Sequence, residues 1–341
     1  MEGDSFMMKD IKVGILGAGG MAKVHAKNLM KLPGVQVVSM CARSEEDAKI
    51  NIAAVQDLEA KAFGDFYQML REISIDVLYV CLPPFAHSGQ VEAAAAKGIH
   101  IFLEKPIALE PKRAKSMLEA IESAGVISQV GYHMRFGSAV KELKRMITQG
   151  EAGKPTLFDG RYDCNHLHSQ WWRDVNKSGG QIIEQVIHVY DLSMHFFGKP
   201  ESVFGFLSNT CHKDVSDYTV EDTSVASVRF LSGALANISA SNCAIPMEWN
   251  NTFTVICEKV TAYFKDANNA KFVMTNQNPP VIIEVKSQMD TYFEETKAFI
   301  EAVKEGKPSI CPIEEGCNSL YLVDAVVRSS KQAGTVLNNK N

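Results

Sequence analysis

The first strand-like run of this chain stops at a glycine-rich turn that begins a helix. Residues 11–16 (IKVGIL) are apolar and largely β-branched, and a helical stretch covers 21–31; between them the chain reads Gly17-Ala18-Gly19-Gly20-Met21-Ala22. In a G-x-G-x-x-A turn the first glycine permits the sharp bend, the second lets a pyrophosphate approach the backbone, and the small last residue allows close helix–strand packing. The phosphates then lie at the helix N-terminus. The context predicts a dinucleotide-binding unit rather than an ordinary strand-to-helix turn.

Strands and helices alternate through the first 130 residues. Further apolar runs are expected to be strands at 35–41, 75–82, 99–103 and 126–130, and helices are expected after Ser44, at 91–97 and from Pro111. Continuously apolar strands that alternate with helices are typical of a parallel sheet covered on both faces. We predict an α/β Rossmann domain, doubly wound around a parallel sheet, over residues 1–130.

The pattern changes after Gly131. Strand-like segments at 155–164, 202–208, 224–230, 234–240, 252–257 and 281–285 follow one another through mostly short polar loops, and a long helix at about 180–197 interrupts them. Two helices, at 291–304 and about 314–333, close the chain. This order predicts an α+β domain over residues 131–341 with a mainly antiparallel open sheet, and it allows the last helix to pack back on the first domain.

Composition excludes several classes of protein. The 341 residues are 46% hydrophobic, and 35 basic against 40 acidic side chains leave a net charge of −5, without a basic run that would favour nucleic acid. No apolar stretch is long enough to span a membrane, and the first ten residues lack a signal-peptide pattern.

Eight scattered cysteines without a C-x-x-C pair indicate a reducing, cytoplasmic setting without structural zinc. Cys164-x-His166-x-His168 has no second ligand pair at zinc spacing, so we expect a loop lining a cleft and no metal.

The end of the second strand bears on the type of dinucleotide. A site for NAD usually has an acidic residue there to bind the ribose 2′-hydroxyl, whereas this chain has Cys41-Ala42-Arg43-Ser44. Pairing of Arg43 with a 2′-phosphate, with a hydrogen bond from Ser44, favours NADP(H) over NAD(H). The alternative is a solvated Arg43 with Glu45 or Glu46 at the ribose.

Two segments carry candidate catalytic side chains. Lys105 follows the strand predicted at 99–103, at the sheet edge where ligands bind in such folds, so it could donate to a substrate oxygen; the alternative is a surface lysine paired with Glu104. The helix at 180–197 is apolar except for one polar stripe, formed by Gln181, Glu184, His188, Asp191 and His195. Glu184 and His188 are one turn apart, a spacing that suits proton transfer by a tuned imidazole or, alternatively, a buried structural network.

Together these motifs resemble the Gfo/Idh/MocA family of NAD(P)-dependent oxidoreductases over nearly the whole chain. The motifs are GAGGMA with His25 in the following helix, Pro83-Pro84 with His87, Glu104-Lys105-Pro106, Gly131-Tyr132-His133-Met134-Arg135-Phe136, Trp172-Arg173, Gly179-Gly180 and Glu184-x-x-x-His188-x-x-Asp191. The resemblance implies an active site between the domains and an open sheet that serves oligomer contacts. It maps the family's lysine onto Lys105 and its acid/base histidine onto His188. Glu184 stands where the family often has aspartate, so its role is either to orient His188 or to bind a substrate hydroxyl.

The resemblance and the motifs together define the expected site. The predicted catalytic residues are Lys105, His188 and Glu184. The predicted cofactor-binding residues are Gly17, Ala18, Gly19, Gly20, Met21, Ala22, Arg43, Ser44, Cys81, Leu82, Pro83, Pro84, His87, Glu104 and Lys105. The predicted substrate-binding residues are Tyr132, His133, Trp172, Arg173, Glu184 and His188, with ordinary packing as the alternative for residues 132–135 and 171–173.

The expected reaction is hydride transfer between NAD(P) and a secondary alcohol of a sugar, cyclitol or related polyol. Two alternatives remain open: an NAD-dependent glycosidase of the same fold, and a nucleotide-binding sensor without catalysis. The expected partners are a small-molecule substrate and further copies of the chain, in a dimer or tetramer formed through the C-terminal sheet, with no nucleic acid or membrane.

Overall fold

The computed structural model describes residues 10–338, so the segment on which the signal-peptide expectation rests lies almost wholly outside the described residues. The chain forms two compact units. Unit 1 comprises the residues up to Glu104 together with Lys115–Gly131 and Tyr292–Glu314, and unit 2 comprises Lys105–Ala114, Tyr132–Thr291 and the residues from Glu315 onward.

Unit 1 contains a sheet of six parallel strands in the order β3-β2-β1-β4-β5-β6. The strands are β1 (Ile11–Leu16), β2 (Val35–Cys41), β3 (Lys61–Phe63), β4 (Val77–Val80), β5 (His100–Leu103) and β6 (Ser128–Val130). This is the strand order of a doubly wound dinucleotide-binding fold, in which ligands bind at the carboxyl ends of the strands. The predicted Rossmann fold is confirmed.

The helices of the chain vary in length from one turn to five. They are α1 (Gly20–Leu29), α2 (Glu45–Ala53), α3 (Phe66–Glu72), α4 (Gln90–Ala95), α5 (Pro111–Ala124), α6 (Ser138–Thr148), α7 (Gln170–Arg173), α8 (Val175–Ser178), α9 (Ile187–Phe197), α10 (Thr291–Glu305) and α11 (Ile313–Lys331). None of the helices among residues 10–338 has the length and hydropathy needed to cross a membrane.

The core of unit 1 joins the sheet to helices α1 and α10. Tyr79 of β4 and Phe102 of β5 stack with their ring centroids 4.5 Å apart, and Phe299 of α10 contacts Tyr79 edge-on at 5.9 Å. All three rings are fully buried, as are Val13 and Ile15 of β1. Burial of each such side chain contributes about 1.5–3 kcal/mol. Helix α10 is therefore an integral part of unit 1, although it lies far from β1–β6 in sequence.

Unit 2 contains a nine-stranded sheet in the order β14-β13-β12-β11-β7-β10-β9-β8-β15. The strands are β7 (Pro155–Asp163), β8 (Pro200–Ser208), β9 (Thr223–Phe230), β10 (Leu235–Ser241), β11 (Phe253–Cys257), β12 (Val260–Phe264), β13 (Ala270–Met274), β14 (Val281–Val285) and β15 (Leu337–Asn338). Only β7 and β10 pair in parallel among these described strands, so the expected mainly antiparallel sheet is confirmed. Helix α9 packs on β7, where Gly160 leaves room for Val189.

The structure differs from the sequence expectations at several elements. Strands β3, β12 and β13 and helices α3 and α6 were not predicted. The predicted helix at 180–197 is present, but residues Ile182–Val186 form a π-helical segment within it, directly before α9 begins at Ile187. A π segment is wider than an α-helix and is common at functional sites. The polar stripe therefore does not follow a regular 3.6-residue spacing across Glu184.

Candidate active site

In the glycine turn of unit 1, Gly17 is packed against other protein atoms, whereas Gly19 and Gly20 face open space. Gly17 has φ +105°, and a Cβ there would overlap the carbonyl oxygen of Cys81, so the fold itself requires glycine. A Cβ on Gly19 or Gly20 would meet nothing within 4 Å. Helix α1 begins at Gly20, and its N-cap Gly19 supplies no side-chain hydrogen bond. Unobstructed amides at a helix N-terminus fit a dinucleotide pyrophosphate, because the helix dipole and the N–H groups favour an anion there.

The rest of the predicted turn lies as the motif requires. Ala22 is fully buried against the sheet, Ala18 packs at the edge of the same core, and Met21 is half-buried. The small side chain of Ala22 permits the close approach of α1 to β1.

The end of β2 presents an exposed arginine beside a capped helix. The side chain of Arg43 is 95% exposed, and its Nε lies 3.5 Å from Asp47 Oδ2. Ser44 Oγ accepts a hydrogen bond from the Asp47 amide at 3.0 Å and caps α2, which begins directly after Ser44 as the sequence predicted. Glu45 pairs with Lys49 at 2.7 Å. Arg43 is thus available to an anion at the carboxyl edge of the sheet, while the oxygen of Ser44 is already used as a helix cap.

The segment after β4 forms the next part of this edge. Cys81, Leu82 and Pro83 are half-buried, Pro84 begins a short 3-10 turn, and His87 is buried. The amide of Cys81 donates to the carbonyl of Leu16 at 2.7 Å, which fixes this segment beside the glycine turn.

Glu104 faces the interior of unit 1. Its Oε1 lies 2.6 Å from Nε2 of His25, which is fully buried in α1, and the other ring nitrogen of His25 lies 3.4 Å from Thr296 Oγ1. A Cβ at Gly131 would come within 3.1 Å of Glu104 Oε1. The glutamate of the Glu-Lys-Pro motif therefore ties β5 to α1 through a buried hydrogen bond, and the next residue, Lys105, begins the part of the chain that belongs to unit 2.

In unit 2, Glu184 bridges a lysine and a tryptophan. Lys105 Nζ donates to Glu184 Oε1 at 2.9 Å and to the Glu184 carbonyl oxygen at 2.5 Å. Trp172 Nε1 donates to the other carboxylate oxygen of Glu184 at 2.7 Å. The side chains of Lys105 and Glu184 are only 15% and 17% exposed. An ammonium held twice by the same residue is fixed in position, since each contact is a charge-assisted hydrogen bond.

His188 lies one helical turn beyond Glu184 and is nearly enclosed, with 7% exposure. Its ring lies 5.0 Å from the ring of His133 and 5.9 Å from that of Tyr132. His133 Nδ1 in turn lies 2.9 Å from Thr291 Oγ1. Burial, then the charges of Lys105 and His133, hold the pKa of the His188 imidazole well below its usual value. The ring is therefore neutral near pH 7 and can accept a proton.

The hydrogen bonds of Glu184 differ from the pairing that the helix spacing favoured. Both of its carboxylate oxygens are used by Lys105 and Trp172, and no hydrogen bond between Glu184 and His188 is present in the described part of the chain. The structure thus brings Lys105, Glu184, His188, His133 and Trp172 together in unit 2. It connects the glutamate to the lysine rather than to the histidine.

Asp191 anchors the same helix to the segment that carries His133. Arg135 Nε and Nη2 donate to the two oxygens of Asp191 at 2.8 and 2.6 Å, and Ser319 Oγ donates to Oδ1 at 3.1 Å. The side chains of Arg135 and Asp191 are 3% and 1% exposed. This buried bidentate pair fixes α9 against residues 133–136, so it holds His188 and His133 in register.

Arg173 and Trp172 are used to build the loop before α7. Arg173 donates to the carbonyl oxygens of Leu167 and His168 at 2.7 and 3.1 Å. The His168 ring lies over the Trp172 indole, with ring centroids 4.1 Å apart. His168 has φ +56°, an uncommon conformation for a non-glycine residue. Burial, followed by the neighbouring His166 and Arg173, lowers the pKa of His168 to about 4.

Two positioning residues gave no signal in the sequence. Glu221 Oε1 accepts from the Ile182 amide at 2.6 Å, at the start of the π segment. Asn242 is fully buried and bonds both the amide and the carbonyl of His166, at 3.0 and 2.9 Å, and its Oδ1 lies 3.1 Å from Cys164 Sγ. Each acts on a residue at least 39 positions away in sequence, so no local pattern could have identified it.

A Rossmann unit with an open glycine turn, together with a second unit that holds a fixed ammonium beside a neutral imidazole, defines a dinucleotide-dependent oxidoreductase. Comparisons with known proteins agree. The profile described as "Oxidoreductase family, NAD-binding Rossmann fold" (GFO_IDH_MocA) matches residues 11–132, and the GFO/IDH/MocA C-terminal domain matches residues 140–263.

Relatives of known name point the same way. Myo-inositol 2-dehydrogenase of Thermotoga maritima is 27% identical over 96% of this chain and 98% of that protein. Scyllo-inositol 2-dehydrogenase (NAD(+)) of Bacillus subtilis is 30% identical over 69% of this chain and 68% of that protein. The structure of levoglucosan dehydrogenase in complex with NADH and levoglucosan has a TM-score of 0.89 at 20% identity, covers 96% of this chain and 98% of that one, and shows the shared fold.

The chain belongs to the Gfo/Idh/MocA family, as its motifs indicated. It is an NAD(P)-dependent dehydrogenase, and its Rossmann unit is the NAD-binding domain of that family.

Proposed function

We propose that the enzyme transfers hydride between NAD(P) and a secondary alcohol carbon of a sugar, cyclitol or related polyol. The observation that carries the proposal is the set Lys105–Glu184–Trp172 beside the neutral ring of His188. Oxidation of an alcohol needs a group that takes the hydroxyl proton and a cation near the oxygen, and this set contains both. The names of the relatives, which include inositol dehydrogenases and a D-glucoside 3-dehydrogenase of Escherichia coli, support a polyol as substrate.

Each side chain has a separate task in the oxidation direction. His188 accepts the proton of the reacting hydroxyl, because its ring is neutral and buried. Lys105 donates a hydrogen bond to the same oxygen and stabilises the negative charge that develops on it. Glu184 keeps the Lys105 ammonium in place through its side chain and its carbonyl group. A bound nicotinamide coenzyme supplies the carbon that accepts hydride.

The remaining predicted substrate residues lie next to these catalytic side chains or hold their neighbours in place. We propose that His133 and Trp172 contact the substrate, since both are next to catalytic side chains. Tyr132 packs against His188, and Arg173 donates hydrogen bonds to the carbonyl oxygens of residues 167 and 168. We therefore propose that Tyr132 and Arg173 hold the neighbouring parts of the site in position.

The coenzyme is proposed to bind along the carboxyl edge of the unit 1 sheet. Its phosphates fit the open turn at Gly19 and Gly20, and the predicted set from Cys81 to His87 lines the next part of the edge. Lys105, which directly follows Glu104 in the chain, is proposed as a further coenzyme-binding residue. The exposed Arg43, with no acidic residue at the end of β2, supports a preference for NADP(H) over NAD(H).

The decisive experiment is a screen of inositols, aldoses, glycosides and sugar acids with NAD and NADP, followed through the absorbance of the reduced nicotinamide. We expect reduction of the coenzyme by at least one polyol, and faster turnover with NADP than with NAD. Arg43→Ala should lose the preference for NADP while its activity with NAD is kept.

Two results would contradict the proposal. Release of a glycosidic leaving group without net formation of reduced coenzyme would identify an NAD-dependent glycosidase. Coenzyme binding without hydride exchange from labelled coenzyme to any polyol would identify a sensor. Faster turnover with NAD than with NADP would refute only the role of Arg43.

We further propose a homo-oligomer, a dimer or tetramer, formed through the outer face of the unit 2 sheet. Phe206 of β8 pairs with Val225 of β9, Leu235 of β10 pairs with Leu157 of β7, and all four side chains are 37–47% exposed. Light scattering coupled to gel filtration tests this, and Val225→Lys should shift the equilibrium toward the monomer.

The eight free cysteines agree with a cytoplasmic location, which fractionation of the source cells would test.

A further inference from the structure

Four side chains of types that bind metals lie near one another at one end of strands β8, β9 and β10 in unit 2. None of the four belongs to the residues proposed for catalysis. Cys211 and His212 lie in the loop between β8 and β9, Asp222 precedes β9, and Cys243 follows β10. Because β9 is antiparallel to both β8 and β10, the loop between β8 and β9 and the loop after β10 emerge at the same end of these strands.

The distances between the potential ligand atoms are short. The Sγ atoms of Cys211 and Cys243 and a carboxylate oxygen of Asp222 all lie within 4.8 Å of one another. His212 Nδ1 lies 3.2 Å from Asp222 Oδ2 and 3.9 Å from Cys243 Sγ. A tetrahedral zinc ion with ordinary bond lengths separates a nitrogen and an oxygen ligand by roughly 3.3 Å, and a nitrogen and a sulfur ligand by roughly 3.6 Å. The separations of His212 Nδ1 from Asp222 Oδ2 and from Cys243 Sγ are therefore close to those that one ion requires, whereas His212 lies outside the group of three ligand atoms that are mutually within 4.8 Å.

We propose that Cys211, His212, Asp222 and Cys243 bind a zinc ion. Two thiolates, an imidazole and a carboxylate are a borderline-soft set that suits Zn²⁺, whereas Ca²⁺ and Mg²⁺ prefer oxygen ligands throughout. On binding, the ion displaces the proton between His212 Nδ1 and Asp222 Oδ2, and the thiols of Cys211 and Cys243 release their protons to solvent. Four protein ligands leave no open position, so the site is structural rather than catalytic.

The backbone around Asp222 holds the ligands together before any ion binds. The amides of Cys211 and His212 donate to Asp222 Oδ2 at 2.7 and 3.0 Å, and the Thr210 amide donates to both carboxylate oxygens at 3.0 Å. Asp222 is fully buried. The carboxylate thus folds the Cys211–His212 segment around itself and limits the reorganisation that ion binding requires.

The ion would fasten a loop that supports the active site. Residues 209–222 contain no strand or α-helix, and irregular loops of this length are usually either functional or disordered. Within the loop, Tyr218 stacks on His212 with ring centroids 4.6 Å apart, accepts a hydrogen bond from Asn242 at 3.0 Å, and packs against Trp172. Trp172 is the donor to Glu184, so loss of the ion is expected to disturb the position of Glu184.

The test is the zinc content of the full-length protein, purified under reducing conditions without a metal-affinity tag and measured by plasma mass spectrometry. We expect about one zinc per chain in the wild type and loss of most of it in Cys211→Ser and in Cys243→Ser. Cys211 is exposed, so its replacement should not prevent folding. The matched control is Cys257→Ala, which removes a cysteine of β11 outside the cluster and should keep the zinc.

A second measurement does not depend on activity. A zinc chelator should lower the Tm of the wild type and of Cys257→Ala, and it should leave the Tm of Cys211→Ser unchanged. Three results would overturn the proposal: a wild type that stays free of zinc after incubation with the ion and a reductant, a zinc content that is unchanged in Cys211→Ser, or a Cys211–Cys243 disulfide found by peptide mapping in freshly isolated protein.

Discussion

The replacement of His188 by glutamine tests the proposed chemistry most directly. The side chain is 7% exposed and lies 5.0 Å from the His133 ring, so glutamine fills a similar volume but cannot take up a proton. General base catalysis by a positioned side chain contributes about 10²–10⁴-fold to a rate. At 1.36 kcal/mol for each tenfold change, His188→Gln should raise the barrier to oxidation by about 3–5 kcal/mol.

The pH dependence of the wild-type activity is a second, independent test of His188 as the base. Neutral imidazole is the base, and burial, Lys105 and His133 lower the pKa of His188 below its usual 6.5. The fraction of neutral ring, and with it kcat/KM for oxidation, therefore falls only below about pH 6.5. Because His133 is one of the groups that lower this pKa, His133→Gln should move the acidic limb to higher pH while retaining far more activity than His188→Gln.

The assay is the formation of reduced coenzyme with the best substrate of the screen, measured from pH 5 to 9. The Tm and the coenzyme Kd of each variant serve as controls for folding and for binding in unit 1. If His188→Gln kept kcat/KM within a factor of about three of the wild type, the assignment of the base would be refuted. An acidic limb that remained in His188→Gln would assign it to another group.

Three further replacements follow from the described contacts. Gly19→Ala should leave the Tm unchanged, because its Cβ meets no protein atom, but should raise the coenzyme Kd at least tenfold in a fluorescence titration; unchanged affinity would remove the pyrophosphate from this turn. Trp172→Phe deletes the hydrogen bond to Glu184 and, at about 1.5–3 kcal/mol for a bond to a charged group, should lower kcat/KM roughly 10–100-fold; a loss below twofold would contradict the positioning of Glu184. Arg135→Ala leaves Asp191 buried without its bidentate partner and should reduce the free energy of unfolding in urea by about 3–5 kcal/mol, whereas a change below about 1 kcal/mol would show that the pair is not structural.

The strands that the sequence failed to predict lack a recognisable local signal. Strands β11 and β12 are joined by only two residues, Glu258 and Lys259, which are not the glycine- or asparagine-containing pair that usually signals a hairpin. Strand β3 has three residues, too few for a period to be recognised. Such strands form because a neighbouring strand offers hydrogen bonds, and that neighbour is not visible in the local pattern.

The sequence by itself determined the parts of this protein that depend on neighbouring residues. The alternation of strands and helices in unit 1 follows from its apolar runs, and the glycine turn, the Ser44 cap and the placement of His188 on a helix each follow from a few consecutive side chains. These features are local because hydrogen bonds and side-chain contacts within one turn or one strand are decided within a few residues.

Only the tertiary structure decided which side chains meet. Glu184 accepts a hydrogen bond from Lys105, which lies 79 residues earlier in the chain. The segment that carries Glu184 is π-helical, although the sequence predicts a regular α-helix there. Cys211 and Cys243 meet although Cys243 follows a different strand. Such contacts depend on strand order and register, which are fixed when the whole chain buries its apolar faces, and no short segment contains that information.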